Sequence, residues 1–202
     1  VAPSVESGGC TREWILTIQR RWNLASQGAF SEISGAIWLF GPAVSVHAHL
    51  DMADLAQGPT DAGFIITLRH ESGACSQLSS SKINRLAAKE YVLYGESGSY
   101  SSSQSDVQAQ SVFAGRYPAE DPDGWGFEDR TRWGTLRTAA GEQRIPSEQG
   151  RYHDYYEGFA RAVWDGTEPP VSAEEAMAVL AVLDAAWVSA EAGREVKLDS
   201  RN

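Results

Sequence analysis

Several groupings in this 202-residue chain place side chains where they could do chemistry. His47, His49 and Asp51 fall at alternate positions, so on a strand they share one face, as ligands of a divalent metal would. Without a further assured ligand, an exposed strand face is the simpler reading. Ser79-Ser80-Ser81 and Ser101-Ser102-Ser103 have no adjacent base and no nucleophile-elbow pattern, and so read as loop or edge-strand serines. Arg20-Arg21 could grip an acidic partner, but neighbours on a strand point to opposite faces. Gly95-Glu96-Ser97-Gly98 opens no strand-to-helix unit, which makes it a tight hairpin connection and no phosphate cradle. The most suggestive set is Gln108, Trp125, Trp133, Tyr152 and His153. Aromatic rings can stack on a sugar face while an amide, phenol or imidazole bonds its hydroxyls, although aromatics also serve to pack cores.

The elements that must position these groups follow from periodicity. Residues 1–11 are small and polar, a loose lead-in. Trp14 to Trp22 alternates as a strand, and from Ala25 the residues Phe30, Ile33, Ile37 and Phe40 recur at helical spacing up to Gly41-Pro42. Val44 to Leu50 reads as a strand, and Phe64 to Arg69 with Ala74 to Ser79 as a hairpin turned by Glu71-Ser72-Gly73. Glu90 to Tyr94 is another strand, joined to a short one at Tyr100. From Ser101 to Arg151, Gly, Pro and Trp are frequent and no period is clear, which predicts ordered loop with brief strands. Tyr152 to Trp164 reads as an aromatic-rich helix ended by Gly166 and Pro169-Pro170. Ser172 and Glu175 form a capping box that opens a helix running to Gly193, and Glu195 to Leu198 is a last strand. Strands mixed with a few long helices and no repeat predict an α+β fold, an open and mostly antiparallel, mixed sheet with helices packed on one face. The expected organisation is a lead-in at 1–11, one domain over 12–199 and a tail at 200–202.

Lys and Arg number 17 against 27 Asp and Glu, a net charge of -10 that would repel nucleic acid and anionic membrane surfaces. Hydrophobic residues at 42% and charged residues at 22% fit a folded globular domain. Cys10 and Cys75 are the only cysteines, which suits a reducing cytoplasm better than a disulfide framework. No apolar run reaches membrane-spanning length, the start lacks the pattern of a signal peptide, and the first residue is not Met, consistent with upstream sequence having been removed.

Three segments together resemble the C-terminal domain of Gfo/Idh/MocA oxidoreductases, in the branch acting on sugars and inositols. The first is Ala36-Ile37-Trp38-Leu39-Phe40-Gly41-Pro42 through Val46. The second runs from Tyr91-Val92-Leu93-Tyr94-Gly95 through Gln108, Gly115-Arg116-Tyr117-Pro118 and Trp125-Gly126 to Trp133-Gly134-Thr135-Leu136. The third is Tyr155-Tyr156-Glu157-Gly158-Phe159, Pro169-Pro170-Val171 and Val182 to Ala190.

The resemblance implies an N-terminal Rossmann domain that binds NAD(P) and carries a Glu-Lys-Pro lysine. No GxGxxG unit and no Glu-Lys-Pro is found in this sequence. It also implies catalytic groups on the helix at 25–40, in a pattern like Asp-x-Gly-x-His-x-x-Asp. Counted back from Gly41-Pro42, those positions are Gln27, Ser31 and Ser34, three neutral residues that cannot accept the hydroxyl proton a hydride transfer releases. The expected function is therefore a non-catalytic protein serving oligomerisation, partner binding or sugar-ligand binding. No catalytic, cofactor-binding or metal-binding residue is expected in the chain alone, with NAD(P) entering only through a Rossmann-bearing partner. The alternative is the substrate-binding part of an NAD(P)-dependent sugar or inositol oxidoreductase whose Rossmann domain was trimmed or lies on another chain. Family domains pair through the open sheet face, which implies a dimer or tetramer here, or association with a catalytic paralogue.

Overall fold

The computed structural model describes residues 15–20, 25–55, 58–83, 90–103 and 106–198. The lead-in, the tail, Cys10 and Arg21 lie outside them. Nine strands form one sheet in the order β8-β7-β6-β5-β1-β4-β3-β2-β9. β1 (Ile15–Arg20) runs parallel to β4 (Cys75–Ser81) and antiparallel to β5 (Tyr91–Gly95). The other pairings, through β2 (Ala43–Leu55), β3 (Gly58–His70), β6 (Gly98–Ser102), β7 (Gly134–Thr138), β8 (Gly141–Ile145) and β9 (Val196–Lys197), are antiparallel. The fold is α+β, a mixed and mostly antiparallel sheet.

Helices α1 (Ala25–Phe40) and α4 (Ala173–Ala192) pack on one face of β2, β3 and β4. Strand alternation turns Phe64, Ile66, Leu68 and Leu78 toward them, where they meet Ala29, Ile33 and Ala36 of α1 and Val179, Val182 and Ala186 of α4. Each of the fully buried Ile66, Leu68 and Leu78 contributes roughly 1.5–3 kcal/mol over exposure. The buried stripe of α1 is rotated from the expected one: Ala29, Glu32, Ile33 and Ala36 are inside, while Phe30 is 38% exposed. The small Ala29 and Ala36 allow close approach to the sheet and to α4, which a phenylalanine on that line would prevent.

Polar side chains lock the layers together. Ser189 is fully buried in α4; its Oγ accepts from Ala48 N at 3.0 Å and donates to Arg194 O at 2.6 Å, tying helix to β2. His70, buried at the end of β3, donates through Nδ1 to Gly41 O and accepts through Nε2 from Ser76 Oγ, each at 2.7 Å. The carbonyl requires a proton on Nδ1, and burial, which holds the pKa below the ordinary histidine value despite the Gly41 bond, favours the neutral ring. Ser72 Oγ bonds Phe40 O at 2.7 Å, so the β3–β4 turn also clasps the end of α1.

The opposite face of the sheet mixes polar and apolar side chains. Its rows include His47, Thr67 and Gln77, and then His49, Ile65 and Ser79, with Ile65 an exposed large hydrophobic residue. Large apolar side chains are also exposed on α3 (Tyr152–Asp165), where Tyr156 is 71% and Trp164 is 80% exposed, and on α1, where Trp38 is 84% exposed.

The segment expected to be ordered loop with brief strands holds such strands in the β7–β8 hairpin and, beyond them, α2 (Val107–Phe113) and short 3-10 turns at Pro118–Glu120 and Arg130–Arg132. A helix of seven residues is too short to display a period, and hairpin strands that carry Arg and Glu on exposed positions do not alternate in hydropathy.

Candidate functional site

A cleft of about 400 Å³ opens where β6, α2, the segment 146–150 and the start of α3 meet. Asp106 and Tyr152 stand at its mouth. Asp106 caps α2, accepting from Ala109 N through Oδ1 at 2.9 Å, and its Oδ2 accepts from the Tyr152 hydroxyl at 2.7 Å. Two turns of chemistry are thus joined by one carboxylate: the first turn of α2 and the first residue of α3.

Gln108 lies behind this pair and is 95% buried, with a relative exposure of 5%. Its Oε1 accepts from the indole Nε1 of Trp125 and from the backbone N of Tyr152, each at 3.0 Å. Trp125 is itself buried, so the ring props the amide and orients its Nε2. Gly150 is needed beneath: a Cβ there would sit 2.4 Å from Gln108 Nε2. Gly126, at φ +76°, lets Gly150 N reach Gly126 O at 2.8 Å, which seals the floor of the cleft. Glu128, whose carboxylate accepts from Ser147 Oγ at 3.0 Å, Glu148 and Tyr100 complete the polar lining.

Of the residues proposed from sequence for ligand contact, Gln108 and Tyr152 line the cleft. Trp125 supports Gln108 from within. Trp133 is half-buried and carries the Arg130 guanidinium over its ring at 5.1 Å, so that face is covered. His153 is also half-buried, with Nε2 at 3.5 Å from Asp154 Oδ1 and with Nδ1 buried and without a hydrogen-bond partner. Asp106, Glu128 and Glu148 were missed, because isolated carboxylates in an aperiodic segment give no pattern until the backbone folds them together.

On α1, Ser31 and Ser34 are exposed, and Gln27 occupies the first helical turns. No α1 residue lines the cleft. Glu32, which sequence reading passed over, is buried at 2% exposure on the helix face turned to the core. No group of three or more His, Cys, Asp or Glu among the described residues could hold a metal ion; His47, His49 and Asp51 are exposed on β2. Gly95 pairs with Gly98 to close the β5–β6 hairpin, an antiparallel turn with no helix start to receive a pyrophosphate. No helix among the described residues is long and apolar enough to cross a membrane.

A mixed sheet of this order with two helices on one face defines the C-terminal α/β class of oxidoreductase domains. The family model described as "Oxidoreductase family, C-terminal alpha/beta domain" matches residues 24–198, and the chain belongs to that Gfo/Idh/MocA family. It is similar to scyllo-inositol 2-dehydrogenase (NADP(+)) IolW of Bacillus subtilis (strain 168), 32% identical over 113 residues, 54% of this chain and 31% of the relative. It is also similar to the uncharacterized oxidoreductase YdgJ of Escherichia coli (strain K12), 28% identical over 161 residues, 77% of this chain and 44% of that protein. The solved structure of yvaA from Bacillus subtilis superposes with a TM-score of 0.79 at 26% identity, covering 93% of this chain and 57% of that one. The chain therefore spans less than half the length of the curated relatives it matches.

Proposed function

We propose that this chain is a non-catalytic member of its family that binds a sugar or cyclic polyol and assembles with a partner. The observation that carries this reading is the neutral surface of α1, where Ser31 and Ser34 face solvent at positions that the family resemblance assigns to His and Asp. A serine without a neighbouring base cannot take a hydroxyl proton near neutral pH, a loss worth roughly 10²–10⁴-fold in rate by itself. The Gln108 cleft, with an amide, two phenols and carboxylates around a space of about 400 Å³, supports the ligand part of the reading. The polyol class is proposed because a similar protein is named for scyllo-inositol. Assembly covers a dimer or tetramer through the open sheet face, or a Rossmann-bearing relative; the cytoplasm is the proposed compartment, which the two cysteines of the chain suit better than a disulfide framework would.

Fluorescence titration with NADPH tests the central point. No binding by this chain and no oxidation of scyllo-inositol with NADP+ are expected, and tight NADPH binding would overturn the reading. Light scattering of the purified chain reads the assembly, which a strictly monomeric particle contradicts.

A second reading, in which the chain is the substrate-binding part of a working NAD(P)-dependent sugar or inositol oxidoreductase, draws on its covering 31–44% of the curated relatives. Turnover of scyllo-inositol on adding a Rossmann-bearing relative would favour it over the first.

A further inference from the structure

We infer that a second pocket, beside Asp61, is a socket for a primary ammonium group carried on an aliphatic stem. It lies between the sheet and helices α1 and α4 and shares no residue with the Gln108 cleft. Asp61 is its one charged lining residue; the others are apolar or aromatic, Leu50, Phe64, Leu183 and Trp187 among them. Simple strand alternation would not put a carboxylate there. Phe64, Ile66 and Leu68 face the helices, so an unbroken β3 would turn Asp61 to the opposite side with Ile65 and Thr67. The β2–β3 register shifts instead: Asp51 pairs with Gly63 and Met52 with Asp61, which leaves Ala62 as the extra residue of a bulge. Such a bulge re-aims a side chain, and here it turns Asp61 inward.

The carboxylate arrives there nearly unpartnered. Asp61 has a relative exposure of 8%, and its side chain accepts only from Thr60 Oγ1, to Oδ1, at 3.5 Å, the long limit of a hydrogen bond. Lys82 bonds the main-chain oxygen of Asp61, at 3.3 Å, and not its carboxylate. A carboxylate held among apolar groups is costly until a cation or donors meet it, so an incoming positive group supplies what the fold omits. The space of about 20 Å³ takes a head group near the size of one water, which an ammonium is and a planar guanidinium exceeds. A divalent metal would need several more oxygen ligands, and no group of three or more His, Cys, Asp or Glu stands together among the described residues. The carbon walls suit a methylene stem, and the 42% exposed Trp187 offers an indole face to the cation.

NMR titration of the intact chain with n-butylamine hydrochloride at neutral pH, against n-butanol as the uncharged control, tests the inference. n-Butylammonium should shift the Asp61 and Leu183 amides and the Trp187 indole N–H, with n-butanol weaker by about tenfold or more. Asp61→Asn keeps the shape of the side chain and should weaken n-butylammonium to the level of n-butanol, whereas Glu168→Gln, which removes the same charge from an exposed position, should leave it unchanged. Nα-acetyllysinamide separates the sources of the group: binding at least as tight as that of n-butylamine names a lysine of a protein partner, and weaker binding names a free alkylamine. Equal binding of n-butanol and n-butylammonium, no shift with n-butylammonium, or full affinity in folded Asp61→Asn would each overturn the inference, and the n-butanol comparison decides even if that variant fails to fold.

Discussion

The Tyr152 hydroxyl donates to Asp106 Oδ2 at 2.7 Å, linking the first residue of α3 to the residue that caps α2 across 46 positions of chain. Because Tyr152 is half-exposed, Tyr152→Phe should lower stability by only about 0.5–1 kcal/mol in urea unfolding. Asp106→Ala removes the cap as well and should lose about 1–2 kcal/mol more. A double-mutant cycle checks the link: strict additivity of the two changes would show that the bond is not made in solution.

Gln108→Leu keeps the volume of the side chain but leaves Trp125 Nε1 and Tyr152 N without their acceptor. An unsatisfied buried donor costs about 1–3 kcal/mol, so a loss of about 2–4 kcal/mol is expected, together with faster hydrogen exchange at the Tyr152 amide. A melting temperature equal to that of the wild type would contradict the role given to Gln108.

His70 makes stability depend on pH. Its folded pKa lies below the ordinary value of 6.5, so the unfolded chain takes up the proton first as the medium is acidified. The stabilisation from the neutral, doubly bonded ring is complete above 6.5 and falls away as pH drops from there toward the lower folded value. Thermal melts of wild type and His70→Gln between pH 8 and pH 5 check this. The wild type should lose more on acidification, and parallel curves would sink the assignment.

Gly126 and Gly115 share a φ of +76° but differ in their surroundings. A Cβ on Gly126 would lie 2.0 Å from Gly150 O, while one on Gly115 meets nothing within 4 Å. Gly115→Ala should therefore cost only the left-handed backbone strain, about 1–2 kcal/mol. Gly126→Ala should cost clearly more and disturb the cleft floor, seen as a larger fall in the denaturation midpoint. Equal losses would mean that the 126–150 contact is loose.

Amphipathic periodicity and local chemistry determined much of this protein directly. The helix over 25–40 is bounded as its spacing and Gly41-Pro42 indicate, and the Ser172–Glu175 capping box opens α4 with both of its bonds made, at 2.8 and 3.1 Å. Such signals act between residues three or four apart, which is why they survive reading in one dimension.

Only the tertiary structure decided which face of α1 is buried, because the choice between Phe30 and the Ala29–Ala36 line depends on how closely α4 and the sheet approach. The same holds for the cleft. Asp106 with Gln108, Trp125, and Gly150 with Tyr152 come from three separate stretches of chain and share no period, and each is an ordinary loop or helix-end residue until the fold brings the stretches within hydrogen-bond reach. Local pattern determines elements, whereas a site built from residues distant in sequence is specified by packing, where the distances between side chains are set.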